Sequence, residues 1–151
     1  MAIHQQSEGN LLAAITTQGF EFSREIAHEQ GMDLGVVVLG DKTANPPAVM
    51  ILDMPAGHVL VRHAHDTHRM EIVLRGSIWT PDGRELHPGD VSLSAPGEFY
   101  GPLTAGSDGC MTVEVFAGLD GLVPYAAGDS SSGEVAVLAS VQQRSREHLG
   151  G

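Results

Sequence analysis

Four of the eight histidines in this chain lie within eleven positions: His58, His63, His65 and His68. Alternate side chains of an extended strand share a face, so His63 and His65 project the same way. Two imidazoles side by side supply half of a transition-metal site. Asp66 to His68 then connect to a run that begins at Arg69. Pairing His65 with Arg69 across that connection sets His63 opposite Glu71. Opposite residues of paired strands share a face, with Cβ atoms about 4.5–5.5 Å apart. The expectation is a metal site of His63, His65 and Glu71 with open positions, suited to Fe(II) and usable by Mn, Ni or Zn. The competing reading is a chance H-x-H pair on a surface strand. His58 and His68 are expected in loops or on the outer face. Arg62 and Arg69 flank the histidines and would repel a cation if they turned inward.

The elements that must hold these residues are short strands. Leu34 to Leu39 is a β-branched run, and Ala48 to Met54 a second. His58 to His65, Arg69 to Arg75, Ser77 to Thr80, Val91 to Ala95 and Met111 to Ala117 complete at least seven. Turn residues separate them, among them Pro55-Ala-Gly57, Pro81-Asp-Gly83 and His87-Pro-Gly-Asp90. The 19 glycines and 8 prolines agree with many turns and few long helices. This spacing predicts an all-β sandwich or barrel over residues 34–117. Residues 1–33 read as an N-terminal extension in which Leu11 to Thr17 is a helical turn or a short strand. Residues 118–151 read as a C-terminal extension. It holds a mobile Gly/Ser-rich stretch from Gly128 to Gly133, then a helix over Glu134 to His148 with Val135, Leu138 and Val141 on one side.

With 151 residues the chain suits one domain. It carries 8 Lys+Arg against 19 Asp+Glu, a formal net charge of −11, and no basic cluster. Nucleic acid and anionic membrane surfaces are therefore not expected partners. The sole cysteine, Cys110, excludes an intrachain disulfide and reads as a buried structural thiol. No signal-peptide pattern or long apolar run is present, so a cytoplasmic location is expected. Val59, Val61, Val73, Leu93 and Val113 are expected to pack the barrel floor, with Met50, Met54 and Met70 filling gaps.

At this level of detail the chain resembles the cupin superfamily, in particular its small single-domain, RmlC-like members. The family's first motif, G-x5-H-x-H-x3/4-E-x6-G, is matched by Gly57, His63, His65 and Gly76. Its second motif, roughly G-x5-P-x-G-x2-H, is matched from Pro88-Gly-Asp90 through Pro96-Gly97 to Tyr100-Gly-Pro102. The resemblance implies a double-stranded β-helix, the jelly-roll cupin barrel, often dimeric. Two positions depart from the motifs: Arg69 stands where the family has its glutamate, and Tyr100 where it has its last histidine. Arg69 is then expected to hold an anionic substrate through paired hydrogen bonds, and Tyr100 to donate one.

Two functions follow as expectations. The first is a divalent-metal enzyme, dioxygenase-like or isomerase-like, acting on a small organic molecule through His63, His65 and Glu71, with Arg69 and Tyr100 orienting the substrate. The alternative is a cupin that binds or senses a small ligand without catalysis. A homodimer is expected in either case, because sheet edges and apolar outer faces need cover.

Overall fold

The computed structural model describes residues 1–126 and the helical backbone of 133–149. Seven strands follow two N-terminal helices: β1 Asp33–Val38, β2 Ala48–Met54, β3 Val59–Leu60, β4 Arg69–Trp79, β5 Glu85–Leu86, β6 Val91–Ser94 and β7 Leu103–Phe116. All pair antiparallel. The hairpin turn expected at Pro81-Asp-Gly83 joins β4 to β5, and the expected bend around Gly76 lies inside β4.

The two long strands β4 and β7 pair with each other along almost their whole length. Their first and second halves take different outer neighbours. Near Glu71 and Glu114 the order is β1-β2-β7-β4-β6, and near Trp79 and Thr104 it is β3-β7-β4-β5. Register shifts at Val73/Arg75 and Gly76/Ile78 bend the pair between these halves. Gly76 has φ +71°, and a Cβ there would lie 2.0 Å from the Gly109 carbonyl oxygen. Only glycine lets the strands cross so closely. The folded sheet is a jelly-roll barrel.

Inside the barrel the register aligns one row per level. Ala48, Phe116, Arg69 and Ser94 form one row; Val36, Met50, Glu114, Glu71 and Ser92 form the next; Leu34, Leu52, Thr112 and Val73 the third. Phe116, Val73, Leu34 and Leu52 are buried. Three expected floor residues, Leu93, Val113 and Val59, lie elsewhere, and so does Met70, expected to fill a gap in the core. Leu93 points outward and is 73% exposed, because Ser92 and Ser94 take the inner positions of β6. Val113 and Met70 also lie on the outer face, in register with Ile72 and Val115 respectively. Val59 is exposed on β3. Met54 is buried in the core as expected, and so is Cys110, whose thiol burial pushes up to about 11. The outer face of β2, β7, β4 and β6 is thus apolar over two rows: Val49, Val115, Met70, Leu93, then Ile51, Val113, Ile72, Val91.

The helices close one side of the barrel. α1 (Leu11–Ile15) is helical, which decides between the two readings of that stretch, and its Ile15 lies over Gly35 of β1. α2 (Glu21–Glu29) buries Phe22, Ile26 and Ala27, a spacing that forms one helical face. Arg24 ties it to β1 through the Leu34 carbonyl and the Asp33 carboxylate, each at 2.9 Å. α3 (Gly133–Leu149) forms where a helix was expected. It buries Leu138 and packs Val141 on the core; the Val135 side chain lies outside the described residues. Its Arg144 meets Glu29 of α2 at 2.8 Å, and its His148 ring stacks on Phe22 at 4.6 Å. The stretch from Gly128 to 132 also lies outside the described residues. Among them, no helix is long and apolar enough to cross a membrane.

Candidate functional site

His63 and His65 sit on the segment before β4, not in a paired strand with it. His63 bridges to Tyr100 and Ala64 to Tyr125. Both imidazoles are buried, at 8% and 5% exposure, with ring centroids 5.3 Å apart. His68 is exposed and His58 half-buried.

Glu71 is not opposite His63. Arg69 and Glu71 of β4 pair with Ser94 and Ser92 on one side, and with Phe116 and Glu114 on the other. The expected two-strand register fails because both hydrogen-bonding edges of β4 are taken by β6 and β7. Arg69 does turn inward, and it is 3% exposed. Its Nη2 donates to Glu71 Oε2 at 2.6 Å and its Nε donates to Glu114 Oε2 at 2.5 Å. Its guanidinium also lies 4.3 Å from the Tyr100 ring centre. Ser92 Oγ donates to the other Glu71 oxygen at 3.4 Å.

The remaining polar atoms follow from donor and acceptor counting. His63 Nδ1 lies 2.6 Å from the Val61 carbonyl, so it must carry the proton. Its Nε2 is then an acceptor and receives the Tyr100 hydroxyl at 2.7 Å. His65 Nδ1 donates to the Gly121 carbonyl at 3.1 Å, which leaves Nε2 a bare acceptor. Burial lowers the pKa of both histidines, His65 to about 4, so both are neutral near pH 7. Burial and then the neighbouring Glu114 charge push Glu71 up to about 7. Burial is the largest influence on Glu114 and opposes its ionisation, but Arg69 together with the nearby histidines outweighs it and holds that carboxyl below its usual range. Burial raises the Tyr100 hydroxyl, which stays a protonated donor.

A cavity of about 150 Å³ opens beside this cluster. Its walls are mainly apolar, with Ile26 of α2, Leu34, Met50 and Leu52 of the sheet, and Leu138 and Val141 of α3, and carry Ser23, Gln30 and Ser145 on the helices. His63, His65 and Glu114 form its polar end. Arg69, Tyr100 and Glu71, all expected at the site, do not line it: they stand behind Glu114 and His63. Glu114 is the candidate site residue absent from the set expected on sequence grounds. Its signal was available, since Thr112, Glu114 and Phe116 alternate with Val113 and Val115, and a lone carboxylate on an inward face demands a partner.

As a ligand set for Fe, Ni, Mn or Zn these residues do not fit. Among the described residues no three His, Cys, Asp or Glu are grouped to hold a metal ion. The two carboxylates are bound by the Arg69 guanidinium, and His63 Nε2 is bound by Tyr100. The cation of this site is an arginine.

No protein-family model matches the chain, and no curated protein matches it. Solved structures do. KdgF from Halomonas sp. superposes with TM-score 0.51 at 18% identity, over 58% of this chain and 79% of that one. An RmlC-like cupin from Shewanella frigidimarina superposes with TM-score 0.50 at 16% identity, over 59% and 78%. The chain therefore has the cupin fold, as its two motifs implied. At this identity the likeness defines the class of fold; the site has to be read from the chain's own residues.

Proposed function

We propose that this cupin-fold barrel is a metal-free binding or sensing module for a small, largely apolar organic molecule. The observation that carries the reading is the capped cavity: mainly apolar walls from two helices and the sheet meet a small polar end at His65 and Glu114. The dioxygenase-like or isomerase-like activity implied by the family resemblance calls for a divalent ion, and here Arg69 occupies the carboxylates such an ion would need. An apolar cavity near 150 Å³ is large enough for a benzene-sized body.

Toluene tests this. At about 100 times its Kd it should stabilise the protein by about 2.7 kcal/mol, a rise in Tm of roughly 5–10 °C. The cavity-filling variant Leu138→Trp should show no such rise. An unchanged Tm in the wild-type protein would remove the binding reading. About one metal ion per chain in elemental analysis of purified protein would overturn the metal-free part.

We also propose that the chain dimerises through the apolar outer face of β2, β7, β4 and β6. Two rows of uncharged side chains, with Leu93 73% exposed, are unusual on a chain of net charge −11. A two-fold axis would place this face against itself. The expected sedimentation result at micromolar concentration is a dimer that Leu93→Lys dissociates; a wild-type monomer would contradict it.

A further inference from the structure

The polar end of the cavity, at His63, His65 and Glu114, displays acceptors and negative charge, while the hydroxyl and amide donors of Ser23, Gln30 and Ser145 belong to its helical walls. His65 Nδ1–H is spent on the Gly121 carbonyl, so Nε2 offers only a lone pair, and it has no hydrogen-bond partner among the described residues. The imidazole is 95% buried, with 5% exposure, and lines the cavity. His63 is satisfied on both nitrogens, by Val61 and Tyr100. Glu114 contributes a carboxylate, with Arg69 bound to its Oε2. The other polar wall residues, Ser23, Gln30 and Ser145, sit on the helices.

Charge counting adds to this. One guanidinium faces two carboxylates, Glu71 and Glu114, so the buried cluster lacks a positive charge or holds a proton. A buried excess charge is costly, and a ligand that supplies the missing cation gains what the protein otherwise leaves unbalanced. An anionic ligand would meet a carboxylate and a lone pair, with the Arg69 guanidinium turned to its two carboxylates. The anion-binding role expected for Arg69 is therefore redirected to the opposite sign.

We infer that the cavity selects a small organic amine, its apolar body held by Leu34, Met50, Leu52 and Leu138 and its ammonium group donating to His65 Nε2 and Glu114. This rests on the ligand-binding reading above and names the class of ligand. The directional demand comes from the tautomer of His65, and the preference for positive charge comes from Glu114.

The test is a matched series of one ring with different heads: benzylamine, benzyl alcohol, benzoate and toluene, titrated calorimetrically into the full chain near neutral pH. Benzylamine should bind at least about tenfold tighter than toluene, with benzyl alcohol between them and benzoate not binding. Glu114→Gln should cut benzylamine affinity about tenfold relative to toluene measured on the same variant, which removes the preference for the ammonium head. Benzoate binding as tightly as benzylamine, or all four binding alike, would overturn the amine assignment while the cavity reading stands. If none of the four binds, toluene included, the cavity reading itself fails. Should Glu114→Gln not fold, the wild-type series still decides.

Discussion

Replacing Arg69 with methionine is expected to lower the free energy of unfolding by about 3–5 kcal/mol, the range found when one partner of a buried ion pair is removed. Arg69, Glu71 and Glu114 are all 2–3% exposed, and the guanidinium is the cation held between the two carboxylates. Without it the carboxylates of Glu71 and Glu114 face each other across paired strands. The expected magnitude comes mainly from that uncompensated charge and only secondarily from lost contacts. The triple variant R69M/E71L/E114L should therefore recover to within about 1 kcal/mol of wild type, because an apolar replacement of a whole buried cluster is often neutral or stabilising. Arg69→Lys should fall between, since an ammonium cannot present the Nε and Nη2 donors in one rigid fork. Denaturant unfolding measures all three. Equal losses in the single and triple variants would assign the effect to packing and refute the charge argument.

The second large effect is in the pH dependence, where two buried groups oppose each other. His65 takes up a proton in the unfolded chain below about 6.5, but in the folded state only near pH 4, because burial disfavours the charged ring. Unfolding in that interval binds a proton, so stability present above pH 6.5 is lost as the pH falls. The interval corresponds to about 3 kcal/mol. Glu71 behaves the other way. Its folded-state pKa is raised to about 7, so the folded protein holds a proton that the unfolded chain releases above about 4.5. That contribution is complete below pH 4.5 and is lost as the pH rises through 7. Between about pH 4.5 and 6.5 the His65 and Glu71 slopes oppose each other, so the wild-type profile, in which buried His63 adds to the histidine side, should be shallower than that of Glu71→Gln. Glu71→Gln should expose the histidine slope, with stability falling by about 3 kcal/mol on acidification from pH 6.5 to 4. His65→Gln should expose the carboxylate slope, with stability falling as the pH rises from 4.5 to 7. Thermal or denaturant unfolding across this range reads both slopes. If both variants keep the wild-type profile, neither group carries the assigned shift.

Much of the barrel was legible before any coordinates. The runs of β1 and β2, the turn at Pro81-Asp-Gly83 and the bend at Gly76 follow from local chemistry, because β-branched runs and Gly/Pro turns act over a few residues; the two-residue β5 and the first half of β7, residues 103–110, carry no such local pattern. The expected placement of Leu93 inside fails for a reason no local pattern carries. A strand has two faces, and the choice between Leu93 and its serine neighbours depends on which strands lie beside β6. The helix α2 was missed in residues 1–33 although Phe22 and Ile26 stand four apart; its burial needs the barrel mouth it covers.

For the site, the sequence by itself determined which chemistry was available: two histidines on one short segment, an arginine in place of a carboxylate, and a tyrosine in place of the last histidine. Only the tertiary structure decided how these residues are used. Glu114 lies 43 positions beyond Glu71 in the chain, yet β7 sets it directly opposite, and Arg69 then binds both. Pairing between distant strands is not encoded in any local pattern. The same long-range contact turns a cluster that reads as a metal site into one whose cation is the protein's own guanidinium, and leaves His65 and Glu114 at the end of an apolar cavity.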